Sequence, residues 1–153
     1  MDGKPIPETE ARRSLNGLAG MLLVTPDADW REKWDTPASN IPKFKEATSV
    51  PRGKQVFILT FFANPKLDAE GRANLKCDFD ITRPDGSASL HQADLSCFEG
   101  ASKGNPYNMR LSAPAIGFTG DPGDPAGTWT VRVVLKDKVG NTVLPLKTSF
   151  VLE

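Results

Sequence analysis

Two cysteines, three tryptophans, a single histidine and a scatter of aspartates are the residues of this chain whose chemistry stands out. Cys77 and Cys97 occupy inward positions of alternating apolar and polar runs, and they flank the Arg83-Pro84-Asp85-Gly86 turn at nearly equal distance. Neighbouring strands would bring them together. In an exported protein a disulfide is favoured over two buried thiols, and closing such a loop contributes about 3 kcal/mol. The bond would be structural. A redox role lacks the Cys-x-x-Cys spacing that lowers a thiol pKa, and zinc would require further ligands that do not cluster here.

Trp30 and Trp34 share a face if Asp29 to Asp35 forms a helical turn, and Phe44 follows in the same stretch. Exposed, the three aromatics make a stacking platform for a sugar ring or a peptide. Folded back, they seal an open edge or end of a sheet, and for large aromatics in a long connection that reading is favoured. Asp121, Asp124 and Asp137 lie in predicted loops, where calcium would need six to eight oxygens and this sequence supplies few, so turn formation explains them better. His91 has no accompanying nucleophile motif and reads as a surface residue. Asp78 and Asp80 alternate with an apolar set, so they point to water and not into the shielded cleft a glycosidase acid requires. Lys43, Lys45, Arg52 and Lys54 form a modest basic stretch without the interleaved aromatics of a nucleic-acid surface.

The elements that must position these residues are short and β-rich. The chain has 153 residues, with 13 glycines and 13 prolines set against 39% hydrophobic residues. That combination indicates many turns between short strands and excludes a disordered chain. Nineteen Lys and Arg balance nineteen Asp and Glu, so no net field draws the protein to nucleic acid or to an anionic membrane. The longest apolar run, Leu18 to Val24, is far shorter than the roughly 20 residues of a membrane-spanning helix.

Residues 1–18 read as an N-terminal extension, with a short peripheral helix over Pro7 to Arg13 whose acids precede its bases in accord with the helix dipole. Arg12-Arg13 ahead of an apolar stretch superficially matches a twin-arginine export signal, but Glu8 and Glu10 are wrong for its basic start. Met1 reads instead as an initiator standing where a signal or anchor was removed. Residues 19–153 form one domain. Met21 to Thr25 is its first strand, and the proline-punctuated stretch Asp27 to Arg52 is a long crossover. Gln55 to Phe62 is nearly continuous in β-branched and aromatic residues and should be buried on both faces. Leu75, Cys77, Phe79 and Ile81 alternate with polar residues, which is the signature of a strand with one face inward. A weaker strand follows over Ser87 to Phe98, then a bent or edge strand around Pro114. Last comes a hairpin with Trp129, Val131, Val133 and Leu135 on one strand and Leu144, Leu146, Phe150 and Leu152 on the other.

The stretch Asp124-Pro125-Ala126-Gly127-Thr128-Trp129, continued by Asp137-Lys138-Val139-Gly140-Asn141, resembles the closing hairpin of bacterial immunoglobulin-like and fibronectin-type-III-like modules. The resemblance covers about 30 residues and implies that Trp129 anchors a corner of a sandwich. Val131 stands where antibody domains carry a cysteine, so the inter-sheet disulfide of those domains is absent. The fold expected is therefore all-β, an immunoglobulin-like antiparallel sandwich of about seven or eight strands with a long N-terminal crossover. The function expected is a non-catalytic binding or assembly module of the bacterial cell envelope, periplasmic or secreted, holding a protein or glycan partner with no cofactor or metal. A carbohydrate-binding domain using Trp30 and Trp34 is the first alternative. A small enzyme of unrecognised type, gathering His91, an acid and Arg110 in a pocket, is the second.

Overall fold

The computed structural model describes residues 10–30, 47–101, 110–112 and 115–153. They form eight strands of four or more residues and two strands of two residues: β1 Arg12–Leu15, β2 Leu18–Thr25, β3 Ser49–Val50, β4 Gln55–Ala63, β5 Arg72–Thr82, β6 Ala88–Ala101, β7 Arg110–Leu111, β8 Ile116–Thr119, β9 Gly127–Asp137 and β10 Thr142–Leu152. The first sheet runs β1-β2-β4, with β7 and β8 both paired to the far side of β4; the second runs β3-β10-β9-β5-β6. The fold is the expected all-β sandwich of two largely antiparallel sheets. Its pairings are antiparallel except at β3, which lies parallel to the end of β10.

Alternation builds the interface between the sheets. Leu75, Cys77, Phe79 and Ile81 on β5, Trp129, Val131, Val133 and Leu135 on β9, and Leu144, Leu146, Phe150 and Leu152 on β10 all point inward and are buried. They meet Leu18, Leu22 and Val24 of β2 and Val56, Ile58 and Phe62 of β4. Apolar area removed from water at about 25 cal/mol per Å² is the main stabilising contribution here. The sheets approach closely at Gly20, where a Cβ atom would lie 2.7 Å from Leu135 Cδ1, so a larger residue there would make the facing leucines give way. On β4 the outward residues Leu59 and Phe61 are buried as well, which fulfils the expectation from its continuous apolar run. Thr60 and Ser112 sit side by side on β4 and just beyond β7, joined by the Ser112 amide to the Thr60 carbonyl at 2.8 Å. Both hydroxyls are buried without a hydrogen-bond partner.

The N-terminal expectation needs correction. Arg12 and Arg13, which were to close a short helix, lie in β1, and β1 pairs with β2 from Arg12↔Met21 to Leu15↔Leu18. The cause is Asn16-Gly17, whose positive φ values of 51° and 87° make a two-residue turn that matches the twist of a hairpin. Hairpin closure by that turn overrides the dipole-matched charges upstream. Residues 1–9 of the expected extension, most of the crossover and Pro114 fall outside the described residues.

Trp129 centres an aromatic cluster at one end of the core. The indole is fully buried, donates from Nε1 to the Pro125 carbonyl at 3.0 Å, and stacks on Phe150 with ring centroids 6.4 Å apart. Phe118 of β8 tilts against both rings at 5.0 and 5.1 Å, closing that end of the core with three aromatics from both sheets.

Candidate functional site

Cys77 and Cys97 are bonded, with their Cα atoms 5.8 Å apart. Simple alternation would not have aligned them, since Cys77 pairs with Leu95. The pairing moves from Leu75↔Phe98 to Lys76↔Ser96, so Cys97 is the extra residue of a bulge, and the bulge turns its side chain inward beside Cys77. The disulfide ties the edge strand β6 to the sheet.

A second irregularity between Cys77 and Phe79 leaves Asp94 in the left-handed region at φ 55°. Its amide donates to Asp78 Oδ1 at 2.9 Å, and the Lys136 ammonium from β9 bridges Asp78 at 2.9 Å and Asp94 at 2.7 Å. Partial burial works against the Asp78 charge, but the Asp94 amide and Lys136 outweigh it and hold the carboxyl below its usual range. Hydrogen bonds to Asp94 and Asp78 raise Lys136 in turn. Beside this cluster Asp80 accepts from His91 Nδ1, and that bond raises the histidine above its usual value. Asp78, Asp80 and His91 thus point outward as expected. Among the described residues no hydroxyl or thiol is hydrogen-bonded to the His91 ring, and Arg110 lies in the other sheet opposite Phe62, so His91 and Arg110 are not brought together.

The other half of the same outer face is different. The N-terminal hairpin folds along β10: the Lys147 amide donates to the Glu10 carbonyl at 2.8 Å, and Arg13 Nη1 donates to the Pro145 carbonyl at 3.2 Å. Between the hairpin and the sheet opens a groove of about 420 Å³. Arg13, Arg132 and Lys147 line it against one carboxylate, Glu10, with Val134 and Pro145 as its outward apolar wall. Glu10 reaches the Lys147 ammonium at 3.7 Å, a loose and exposed ion pair. Arg132 makes no ion pair or hydrogen bond among the described residues, although it stands directly across from Asp80 in the β5 to β9 register. Asp80 is bonded on its other side, to His91.

Sequence reading did not find this groove. Its cations are two outward residues of a regular hairpin, which the apolar alternation does not single out, and Arg13, which read as part of a helix. The one available signal was Asn16-Gly17, since a hairpin there carries Arg13 toward the sheets.

The residues singled out as a stacking platform divide. Trp30 is half-buried, its ring 6.2 Å from that of Phe57 and tilted by 47°. Trp34 and Phe44 lie outside the described residues, as do Lys43 and Lys45. Arg52 donates to the Asp121 and Asp124 carbonyls, at 2.8 and 2.5 Å, while the Asp124 carboxylate accepts from the Asp121 amide at 2.9 Å. Asp137 is buried and accepts from the Lys66, Val139 and Gly140 amides at 2.8, 3.1 and 3.0 Å. These aspartates shape turns. Among the described residues no group of three or more His, Cys, Asp or Glu side chains is arranged to hold a metal, and no helix is long and apolar enough to cross a membrane.

No protein-family model and no curated protein matches the chain. Among solved structures it is similar to a family 123 glycoside hydrolase from Clostridium perfringens, at 10% identity and a TM-score of 0.47 over 90% of this chain but only 27% of that one. It is also similar to a Niemann-Pick type C2 protein from Japanese carpenter ant, at 10% identity and a TM-score of 0.39 over 86% of this chain and 89% of that one. Likeness at this level assigns the chain no activity and no ligand.

Proposed function

We propose that this chain is a non-catalytic binding module of the bacterial cell envelope, exported to an oxidising compartment, which holds a protein or glycan partner in the groove between its N-terminal hairpin and the outer face of β9 and β10. The observation that carries the reading is the groove itself: a concave surface of about 420 Å³ with three cations and one carboxylate, lined from the N-terminal hairpin and from β9 and β10. The Cys77 to Cys97 bond supports the compartment, because structural disulfides persist where thiols are not kept reduced. The closing hairpin around Trp129 supports kinship with immunoglobulin-like and fibronectin-type-III-like modules, and such scaffolds present binding surfaces on loops and sheet faces.

The test is capture from the envelope fraction of the source cell with the purified protein as bait, run beside an assay for turnover of glycan, ester and peptide substrates. The reading expects a partner whose retention falls when Arg132→Ala is used as bait, and no turnover. Turnover that survives repurification would sink it, and so would capture indifferent to the groove.

A further inference from the structure

Across the outer face of the second sheet one row of side chains runs Lys147, Arg132, Asp80, His91, from β10 through β9 and β5 to β6. Lys147 and Arg132 are direct cross-strand partners, and like charges so placed destabilise a sheet. Asp80 stands on the far side of Arg132 and offsets part of the repulsion, but it shares its carboxylate with His91. Arg13 adds a third positive charge from the hairpin, and Glu10 answers only Lys147. The chain as a whole has no net charge, so this excess is local. Bound anions would relieve it, and guanidinium groups grip carboxylates with two parallel hydrogen bonds.

The backbone around the groove limits what can carry those carboxylates. An extended peptide usually docks on a sheet by adding a strand, which requires free amides and carbonyls along an edge. Here Pro145 has no amide hydrogen and its carbonyl is occupied by Arg13, while the Lys147 amide is taken by Glu10. Further along β10 the Val151 amide is taken by the Thr48 carbonyl, and the Glu153 amide just past the strand by that of Val50. Strand addition is closed at these positions. A polysaccharide needs no ladder, because its carboxylates meet the cations while the C–H faces of its rings lie on Val134 and Pro145. Among the described residues no aromatic side chain lines the groove, which disfavours neutral sugars that depend on stacking. Resting on the binding reading above, we infer that the groove takes a carboxylate-bearing glycan, a uronate strand gripped between Arg132 and Arg13.

The experiment is a titration of the full chain with a polygalacturonate oligomer, followed by amide chemical shifts and calorimetry at physiological salt. Parallel titrations use a neutral galactose oligomer, a heparin fragment and a polyglutamate peptide. The expected result is saturable binding of the uronate with shifts at Arg13, Arg132, Val134 and Lys147, about tenfold weaker in Arg132→Ala, as loss of a charged hydrogen-bonded pair implies. Lys54→Ala, which removes a cation away from the groove, should leave affinity unchanged. Arg132→Ala should also melt no lower than the parent, because it removes a like-charge neighbour. A lower melting temperature, which would make Arg132 a structural residue, overturns the inference, and so does equal weakening by Lys54→Ala, which would mean unspecific charge attraction. Tighter binding of heparin or polyglutamate would reassign the groove to sulfate or to an acidic protein. Binding of the neutral oligomer alone would overturn the uronate while leaving a binding module in place, whereas cleavage of any of the four probes would remove the binding reading itself.

Discussion

The second sheet contains two long hairpins built on opposite plans. β9 and β10 pair without interruption from Gly127↔Leu152 to Asp137↔Thr142, whereas β5 and β6 break register at three places. In the broken hairpin every outward charge described above is spent on the chain itself: Asp78 and Asp94 clamp one bulge around Lys136 of β9, the disulfide fixes another, and Asp80 holds His91. In the regular hairpin the turn and the aromatic core do the holding, so Arg132 is left over for something outside and Lys147 keeps only a loose ion pair with Glu10. Irregular backbone consumes polar side chains; regular backbone releases them.

The contrast can be broken from the regular side first. Trp129→Ala removes the largest buried side chain of that hairpin and the contacts of Phe118 and Phe150, and should cost about 3 to 5 kcal/mol in urea unfolding. A loss under 1 kcal/mol would mean that the hairpin is held by its turn alone. On the broken side, replacing both cysteines with alanine opens a loop whose ends are 20 residues apart, and should cost about 3 kcal/mol. Hydrogen exchange should then quicken in β6 well before β9 and β10, and uniform loss of protection would contradict the division.

Asp78→Asn has a smaller expected effect, about 1 kcal/mol, because the amide keeps an acceptor for the Asp94 bulge but loses the charge that Lys136 meets. Asp78 is held below its usual 3.8, so its contribution is present above that value and fades as pH falls through the lowered one. The variant should therefore flatten the acid limb of a melting curve taken against pH. The smallest effect belongs to His91. Its raised value means that its pairing with Asp80 contributes fully below the usual 6.5 and is lost as pH rises through the raised one. His91→Ala should abolish the fall in melting temperature that the parent shows across that window, and an unchanged slope would show that the pair carries no stability.

These two hairpins also explain what could be read from residue order. Trp129 to Leu135 and Leu144 to Leu152 alternate without error, so the regular hairpin and its buried face were legible, as was β5 from Leu75 to Ile81. The disulfide was legible because Cys77 and Cys97 both read as inward on either side of one turn, although the bulge that aligns Cys97 leaves no mark in local periodicity. The cation groove was not legible, because it depends on which outward residues lack an opposite charge nearby. Asp80 sits across from Arg132 and yet serves His91, and that choice is decided by the register of β6, itself shifted by its bulges. The N-terminal hairpin was misread for a simpler reason. Charge order favoured a helix over Pro7 to Arg13, while Asn16-Gly17 carries the stronger local preference.

The position of β10 bears on how the molecule can be made. Its partners include β9 beside it in the chain, but also the hairpin at Arg13, 132 residues away from Pro145, and Ser49, whose hydroxyl meets Glu153 across 104 residues. Contacts of such separation form only after long loops have closed, which slows folding and leaves earlier strands waiting for their last neighbour. The second sheet therefore stays incomplete during synthesis until Leu152 has emerged. Completion of that sheet must wait until the stretch from Arg13 to Leu152 is free to fold together.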